Sequence, residues 1–199
     1  MTTTRTVLLT VAATLVVLAL GGLILMYSGA YNVAATAGHT GLVRWALHTT
    51  QERSVAARAG DVPEPPAADS AALQHGFEHF RAMCVACHGA PGVERGELGK
   101  GITPEPPALA EEAAELSQRE LFWITRHGIK LAGMPAFGPT HSDEEIWGIV
   151  AFLERLAEMT PQEYAGWEVR YAAARAAAGQ SASDDGGHSH APGTPEHGH

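Results

Sequence analysis

Three residues with the chemistry to hold a metal-containing group lie together in this chain: Cys84, Cys87 and His88, in the order C-x-x-C-H. Two thiols separated by two residues can form thioether bonds with the two vinyl groups of a haem, and a histidine directly after the second thiol can reach the iron. The chain of 199 residues has only 2 cysteines, so no disulfide framework competes for these thiols. The motif therefore predicts covalent attachment of one c-type haem.

Two other chemistries use closely spaced cysteines, and both fit this chain less well. A structural zinc site needs a second pair of ligands with its own short spacing, and no other cysteine is present to supply it. A thioredoxin-like C-x-x-C lies at the mouth of a strand–helix–strand unit, whereas the residues on both sides of this motif have helical patterns. Haem attachment is the leading interpretation.

The elements that must position the motif are predicted to be helices. Apolar side chains recur at steps of three and four residues up to and into the motif: Leu73, Phe77, Phe80, Cys84 and Cys87. Three later helix starts are indicated by a capping residue with Glu three positions on: Ser117/Glu120, Ser142/Glu145 and Thr160/Glu163. No segment alternates with period two, so a sheet is not expected. The sequence predicts an all-α protein.

These patterns together resemble the class I cytochrome c fold. The resemblance is carried by Gly76-x-x-x-Phe80-x-x-x-Cys84-x-x-Cys87-His88, by Gly133-Met134-Pro135 and by an aromatic-rich last helix, and it covers residues 69–156. The phrases CHGAPG and ELFWITRHGIKLAGMPAFG look like membrane-anchored bacterial mono-haem cytochromes. The resemblance implies that the first and last helices cross where Gly76 and Phe80 meet the face of Trp147, Val150 or Ala151.

The predicted iron ligands come from the motif and from the later Gly-Met-Pro segment. His88 is the proximal ligand, and the resemblance implies that its second ring nitrogen bonds the carbonyl of Pro107, although Pro107 would also suit an ordinary proline-rich surface loop. Met134 is the axial methionine that the resemblance implies, and a thioether between Gly and Pro suits iron in an apolar pocket. Other candidates for this position stay open: Met83, Met159, His127 and His141.

The N-terminal region predicts a membrane segment. Residues 7–26 are almost wholly apolar, and about 20 apolar residues span a bilayer. Arg5 precedes them, which favours a cytoplasmic N-terminus. The sequence predicts a single-pass anchor in the inner (cytoplasmic) membrane with the haem domain in the periplasm. The alternative is a cleaved signal peptide, for which Ser28-Gly29-Ala30 would serve as the cleavage site.

Composition divides the chain into four parts. Residues 1–27 are the predicted cytoplasmic tip and transmembrane anchor, 28–68 a juxtamembrane arm and Pro-rich hinge, 69–180 the haem domain and 181–199 a disordered tail. The arm carries Trp45 as a candidate interfacial residue. The tail carries four histidines in H-x-H pairs, for which binding of Cu or Zn is an open hypothesis: His188, His190, His197 and His199.

Charge limits the class of partner. The net charge is -9, and from Asp61 onward there are 21 acidic against 9 basic residues. An acidic surface excludes nucleic acid as the expected partner and favours a redox protein with a basic docking patch.

The leading functional prediction is a membrane-tethered periplasmic electron-transfer protein without enzymatic activity, because no nucleophile with a paired base and no phosphate-binding loop is found. The first alternative is the cytochrome subunit of a larger membrane oxidoreductase, with the arm as its docking surface. A haem sensor or a copper-handling protein is the remaining alternative.

Overall fold

The computed structural model describes residues 2–184, with side chains described from residue 3 to residue 177. Throughout this range the regular structure is helical, and the β-type pairing in it is an isolated bridge between Ala90 and Val93. The predicted all-α class is confirmed. The chain divides into two compact units, the first ending at Gly41 and the second beginning at Leu42.

The first unit is dominated by a single helix, α1 (Thr2–Ser28). Its large apolar side chains, such as Val7 and Leu18, are exposed. Within Thr3–Ser28, an 18-residue window has a mean hydropathy of 2.6, and the helix is long and apolar enough to cross a membrane. A signal sequence meets the same criteria, so length and composition are compatible with both predicted interpretations.

The second unit contains the remaining helices of the described chain. They are α2 (Gly41–Ala59), α3 (Ser70–His79), a π turn (Phe80–Cys84), α4 (Val85–His88), α5 (Glu97–Lys100), α6 (Leu109–Glu112), α7 (Gln118–His127), α8 (Asp143–Ala157) and α9 (Pro161–Asp184). α9 continues four residues past the predicted domain end at residue 180. The part of the predicted tail after Asp184 lies outside the described residues.

Reciprocal capping boxes begin the last three helices, as predicted. In α7 the Ser117 hydroxyl accepts from the Glu120 backbone N–H, while the Glu120 carboxylate accepts from the Ser117 backbone N–H. Ser142 with Glu145 and Thr160 with Glu163 make the same pairs of bonds at α8 and α9. Each box satisfies backbone donors that a helix start would otherwise leave free.

Two glycines meet where α3 crosses α8. A Cβ atom on Gly76 would overlap the carbonyl oxygen of Gly148 and would lie 2.9 Å from the Cβ of Phe152. The resemblance implied that Gly76 and Phe80 meet the face of Trp147, Val150 or Ala151, whereas the atoms nearest to Gly76 come from other residues of the same helix. The nearest atoms belong to Gly148 and Phe152 because glycine on both helices lets the backbones touch.

Aromatic side chains fill the core beside this crossing and join it to α9. Phe77 is fully buried, with its ring centroid 5.4 Å from those of Phe152 and Trp167. Tyr164 and Tyr171, also on α9, lie 6.0 and 5.8 Å from Phe77. Edge-to-face pairs at these distances are favourable beyond the area that they bury, so α9 completes the core of the unit.

Candidate haem site

The C-x-x-C-H segment lies where helical winding changes. α3 passes into the π turn, in which the Val85 N–H bonds the Phe80 carbonyl, and Cys84 is its last residue. Cys84 is buried, whereas Cys87 and His88, in α4, are half-buried. Burial, with a smaller effect from Cys87, raises the pKa of the Cys84 thiol to about 12, so this sulfur is a neutral thiol in apolar surroundings.

A side-chain contact holds the π turn to α9, and sequence patterns did not reveal it. The Arg81 guanidinium donates to the Glu168 carboxylate at 2.6 Å and lies 4.8 Å from the ring centroid of Tyr171. The Tyr164 hydroxyl donates to the same carboxylate at 3.2 Å. The segment that ends in Cys84 is therefore fixed from the side by a helix 87 residues away in sequence.

The chain reverses directly after His88. Gly89 ends α4 with φ of 68°, a left-handed conformation that favours glycine. Ala90 and Val93 exchange backbone hydrogen bonds of 2.9 and 2.8 Å, and the Gly96 N–H reaches the carbonyl of Ala86 at 3.0 Å. The loop therefore returns alongside the motif.

A glycine of α5 packs directly on the motif. A Cβ atom on Gly99 would lie 2.8 Å from the Cα of Cys87. Any side chain there would push α5 away from the second cysteine. Sequence patterns did not single out Gly99, because a contact between two helices of four residues each carries no periodic signal.

His88 makes the hydrogen bond that the resemblance implied. Its Nδ1 lies 2.8 Å from the carbonyl oxygen of Pro107. A carbonyl can only accept, so Nδ1 carries the hydrogen and Nε2 keeps its lone pair. Burial lowers the pKa of His88. The hydrogen bond to Pro107 acts in the opposite direction and raises this pKa, and the positive charge of Arg95 lowers it further. The ring is thus held as the neutral tautomer that binds metals.

Met134 lies in an extended loop after α7, which ends at Gly128 with φ of 65°. The loop turns back on the helix: the Ile129 N–H bonds the Met134 carbonyl at 3.2 Å and the Gly138 N–H bonds the Arg126 carbonyl at 2.9 Å. Met134 is half-buried.

One apolar side chain links the loop of Met134 with the region of the motif. A Cβ on Gly133 would lie 2.6 Å from the Ile102 side chain, and the Ile102 N–H points at the carbonyl of Gly99. Contacts therefore run from Cys87 through Gly99 and Ile102 to Gly133. The two candidate iron ligands belong to segments that this short path connects.

The other candidates for the methionine position have partners elsewhere. Met159 is buried in the core and Met83 packs against the core. His127 lies 4.9 Å from the Trp123 ring centroid. The ring centroid of His141 lies 5.1 Å from that of His79, and its Nδ1 is hydrogen-bonded to the Thr140 hydroxyl at 2.9 Å.

The tail histidines lie outside the described residues: His188, His190, His197 and His199. Within residues 2–184, no group of three or more His, Cys, Asp or Glu side chains is arranged to hold a metal ion. Binding of Cu or Zn by the tail stays a hypothesis.

The donor set fits a haem c. Two thiols, a neutral imidazole whose Nδ1 is already bonded, and a thioether in a non-helical loop are the groups that covalent attachment and His/Met ligation require. The hydrogen bond from His88 to Pro107 is the kind of outer contact that orients a ligating histidine and raises its basicity.

The family comparison agrees with this donor set. The family described as "Cytochrome C oxidase, cbb3-type, subunit III" matches residues 71–153. Among solved structures, "Crystal structure of c-type cytochrome XoxG from Methylobacterium extorquens AM1" is similar with 27% identity and a TM-score of 0.33, over 43% of this chain and 50% of that chain. The match spans half the length of that cytochrome. Among curated proteins, none matches the chain.

Fold, motif and family together define a c-type cytochrome domain. Residues 71–153 are similar to the cbb3-type subunit III family of cytochrome c domains. Such a domain holds haem c covalently and serves haem-based electron transfer.

Proposed function

We propose that this chain is a membrane-tethered, periplasmic electron-transfer protein with a single covalent haem c. The observation that carries the proposal is the 2.8 Å hydrogen bond from His88 Nδ1 to the Pro107 carbonyl, made by the histidine of a C-x-x-C-H motif inside a cytochrome c domain. A histidine oriented in this way has the tautomer that an axial iron ligand needs.

Each residue of the site has a distinct task in this proposal. The sulfurs of Cys84 and Cys87 hold the haem, and Nε2 of His88 and the thioether of Met134 ligate its iron. When bound, the haem takes up and releases one electron. The protein keeps His88 neutral by burial and fixes its ring through Pro107, so little of the ligand shell has to rearrange during transfer.

The proposed location rests on α1. Its apolar segment Thr3–Ser28 has the length of a membrane span, and Arg5 at its start favours a cytoplasmic N-terminus. The cytochrome domain would then lie in the periplasm, tethered through residues 29–40.

The proposed partner is a redox protein with a basic docking patch. The excess of acidic residues after Asp61 would steer such a partner, most strongly at low salt. Small and weakly held interfaces suit carriers that must exchange partners.

The axial assignment is tested by spectra of the oxidised and reduced haem-loaded protein beside Met134→Ala. We expect the sulfur-to-iron charge-transfer absorption of the oxidised wild type to disappear in this variant, and the reduction potential to fall, because a thioether stabilises ferrous iron. Met83→Ala is the matched control, since Met83 adjoins the motif but packs against the core. Absence of this absorption from the wild type, or its loss only in Met83→Ala, would contradict the assignment.

One observation favours a second candidate function, the cytochrome subunit of a larger membrane oxidoreductase. Leu42 and Trp45 at the start of α2 are 73% and 64% exposed, and the matching family is described as an oxidase subunit. Purification from membranes in mild detergent separates the two candidates: a stable complex that Trp45→Ala and Leu42→Ala dissociate supports a subunit, and a monomeric haem protein supports a carrier.

A further inference from the structure

Arg95 holds the segment that bonds the candidate iron ligand. Its Nη1 donates to the carbonyl of Pro106 at 2.6 Å, and its Nη2 forms an ion pair with Glu105. The next carbonyl along the chain, that of Pro107, accepts from His88. One guanidinium thus binds both residues that immediately precede the acceptor of the His88 bond.

We infer that Arg95 is the positioning residue for His88: it fixes the segment 105–107, and through the Pro107 carbonyl it fixes the imidazole ring. The inference rests on the proposed function, because it assigns Arg95 a task at the ring that would ligate iron. In this role Arg95 acts through the Pro107 carbonyl.

The segment depends on donors from outside itself. Proline has no backbone N–H, so Pro106 and Pro107 offer carbonyls but no donors with which the segment could bond its neighbours. Pro106 is buried, and a buried carbonyl without a partner is costly. Arg95 and His88 supply the donors for these two carbonyls.

Arg95 is itself held firmly in place. A Cβ on Gly89 would lie 2.7 Å from the carbonyl oxygen of Val93 and 3.2 Å from the backbone nitrogen of Arg95. Gly96, directly after Arg95, donates to the Ala86 carbonyl at 3.0 Å. The backbone on both sides of Arg95 is therefore packed against the motif and against the turn that follows His88.

An arginine suits this task better than a lysine. Its planar fork can bond a carbonyl and a carboxylate at the same time in fixed geometry, whereas an ammonium group is a point charge on a flexible stem. Arg95 is 30% exposed in its side chain, so these bonds are shielded in part from water. The same cation contributes to the lowered pKa of His88, after the larger effect of burial.

The test compares Arg95→Lys and Arg95→Gln with wild type, each as the full haem-loaded chain. We would measure solvent exchange of the His88 Nδ1 proton by NMR in the reduced state, together with the reduction potential. Both variants should exchange this proton about tenfold faster, which corresponds to the upper end of the net contribution of one hydrogen bond. Arg95→Lys keeps the charge but loosens the hydrogen bond from His88 to Pro107, so that His88 becomes a less basic iron ligand. A less basic ligand favours ferrous iron, and we expect the equilibrium constant for reduction to rise by about tenfold, or roughly 59 mV for one electron.

Lys100→Gln is the matched control. Lys100 lines the same cavity of about 380 Å³ beside His88 as Arg95 does, and it carries the same charge, but it pairs with Glu94 at 3.0 Å. We expect its proton exchange to equal that of wild type. Exchange in Arg95→Lys and Arg95→Gln that also equals wild type would overturn the inference while leaving the proposed function intact.

A second variant decides the question if the Arg95 variants do not fold. Glu105 is 69% exposed in its side chain, so Glu105→Gln should fold while weakening one of the two bonds of Arg95. We expect exchange to rise about threefold, within the range of a lost surface ion pair, and unchanged exchange would overturn the inference. A wild-type chain that attaches no haem overturns the proposed function and this inference with it.

Discussion

At the scale of single residues, the side chains that are neighbours in sequence could be predicted, and the contacts between residues far apart in sequence could not. Cys84, Cys87 and His88 lie within five consecutive positions, so the chemistry of their side chains could be predicted from spacing alone. The acceptor Pro107 could be predicted only through the family resemblance. Arg95 was not predicted, because an arginine in a polar loop looks the same in sequence whether it is solvated or bonded to a carbonyl.

A capping carboxylate gives a residue-scale prediction about pH. Hydrogen bonds from the backbone and hydroxyl of Thr160 lower the pKa of Glu163. Since the folded pKa is below the unfolded one, this bond stabilises the fold above the unfolded pKa and is lost as pH falls through the folded value. We expect the unfolding temperature of Glu163→Gln to fall less than that of wild type between about pH 6 and pH 3, because glutamine keeps the cap without a charge that can be lost.

The measurement is the unfolding temperature of the haem-loaded protein across that pH series. Glu154→Gln, at an exposed position on α8, is the control and should follow wild type. A Glu163→Gln series that runs parallel to wild type would show that the cap charge does not contribute to acid sensitivity.

At the scale of helices, the contact between α3 and α8 depends on two residues without side chains. Gly76→Ala would place a methyl group against the Gly148 carbonyl and within 2.9 Å of the Phe152 Cβ. We expect the free energy of unfolding to fall by about 3 kcal/mol, at the upper end of typical overpacking costs. Chemical denaturation of the haem-loaded variant measures this loss.

Gly166→Ala is the matched control for that substitution. Gly166 also lies within a helix, α9, but the nearest atom to an added Cβ is the Arg170 guanidinium tip at 3.4 Å. Replacing a helical glycine by alanine with room to spare should stabilise by roughly 0.5–1 kcal/mol. Equal effects of the two substitutions would disprove a special close contact at Gly76.

Helix starts could be predicted from sequence more reliably than helix winding or helix partners. Capping boxes are local, and those at α7, α8 and α9 were confirmed. The π turn Phe80–Cys84 was not predicted, since apolar residues at steps of three and four fit regular winding equally well. The packing of α9 on Phe77 was also missed, because aromatic residues show that a face is buried but not against which helix.

At the scale of the whole chain, the fate of α1 decides how the protein is held. Its apolar run, residues 7–26, is longer than the apolar region of about 7–15 residues in a signal peptide. We expect the purified protein to keep its N-terminal segment and to stay in the membrane fraction after a high-salt wash. Intact-mass measurement checks the first point, and fractionation checks the second.

The contrary result is equally specific. A mature chain beginning near Ser28-Gly29-Ala30, recovered in the soluble fraction, would identify α1 as a cleaved signal. Replacing Ala30 by a bulky residue is the control, because it should block processing only if cleavage occurs there.

The packing of α9 determines how much of the chain must be kept when the cytochrome domain is produced as a separate fragment. The family match ends at residue 153, yet Leu156, Met159 and Tyr164, all beyond it, belong to the same buried cluster as Phe77 and Phe80. Val62, before the match, belongs to it as well. A fragment cut at the family boundaries would open this cluster to water and should aggregate, so the portable unit extends from Val62 at least to Tyr171.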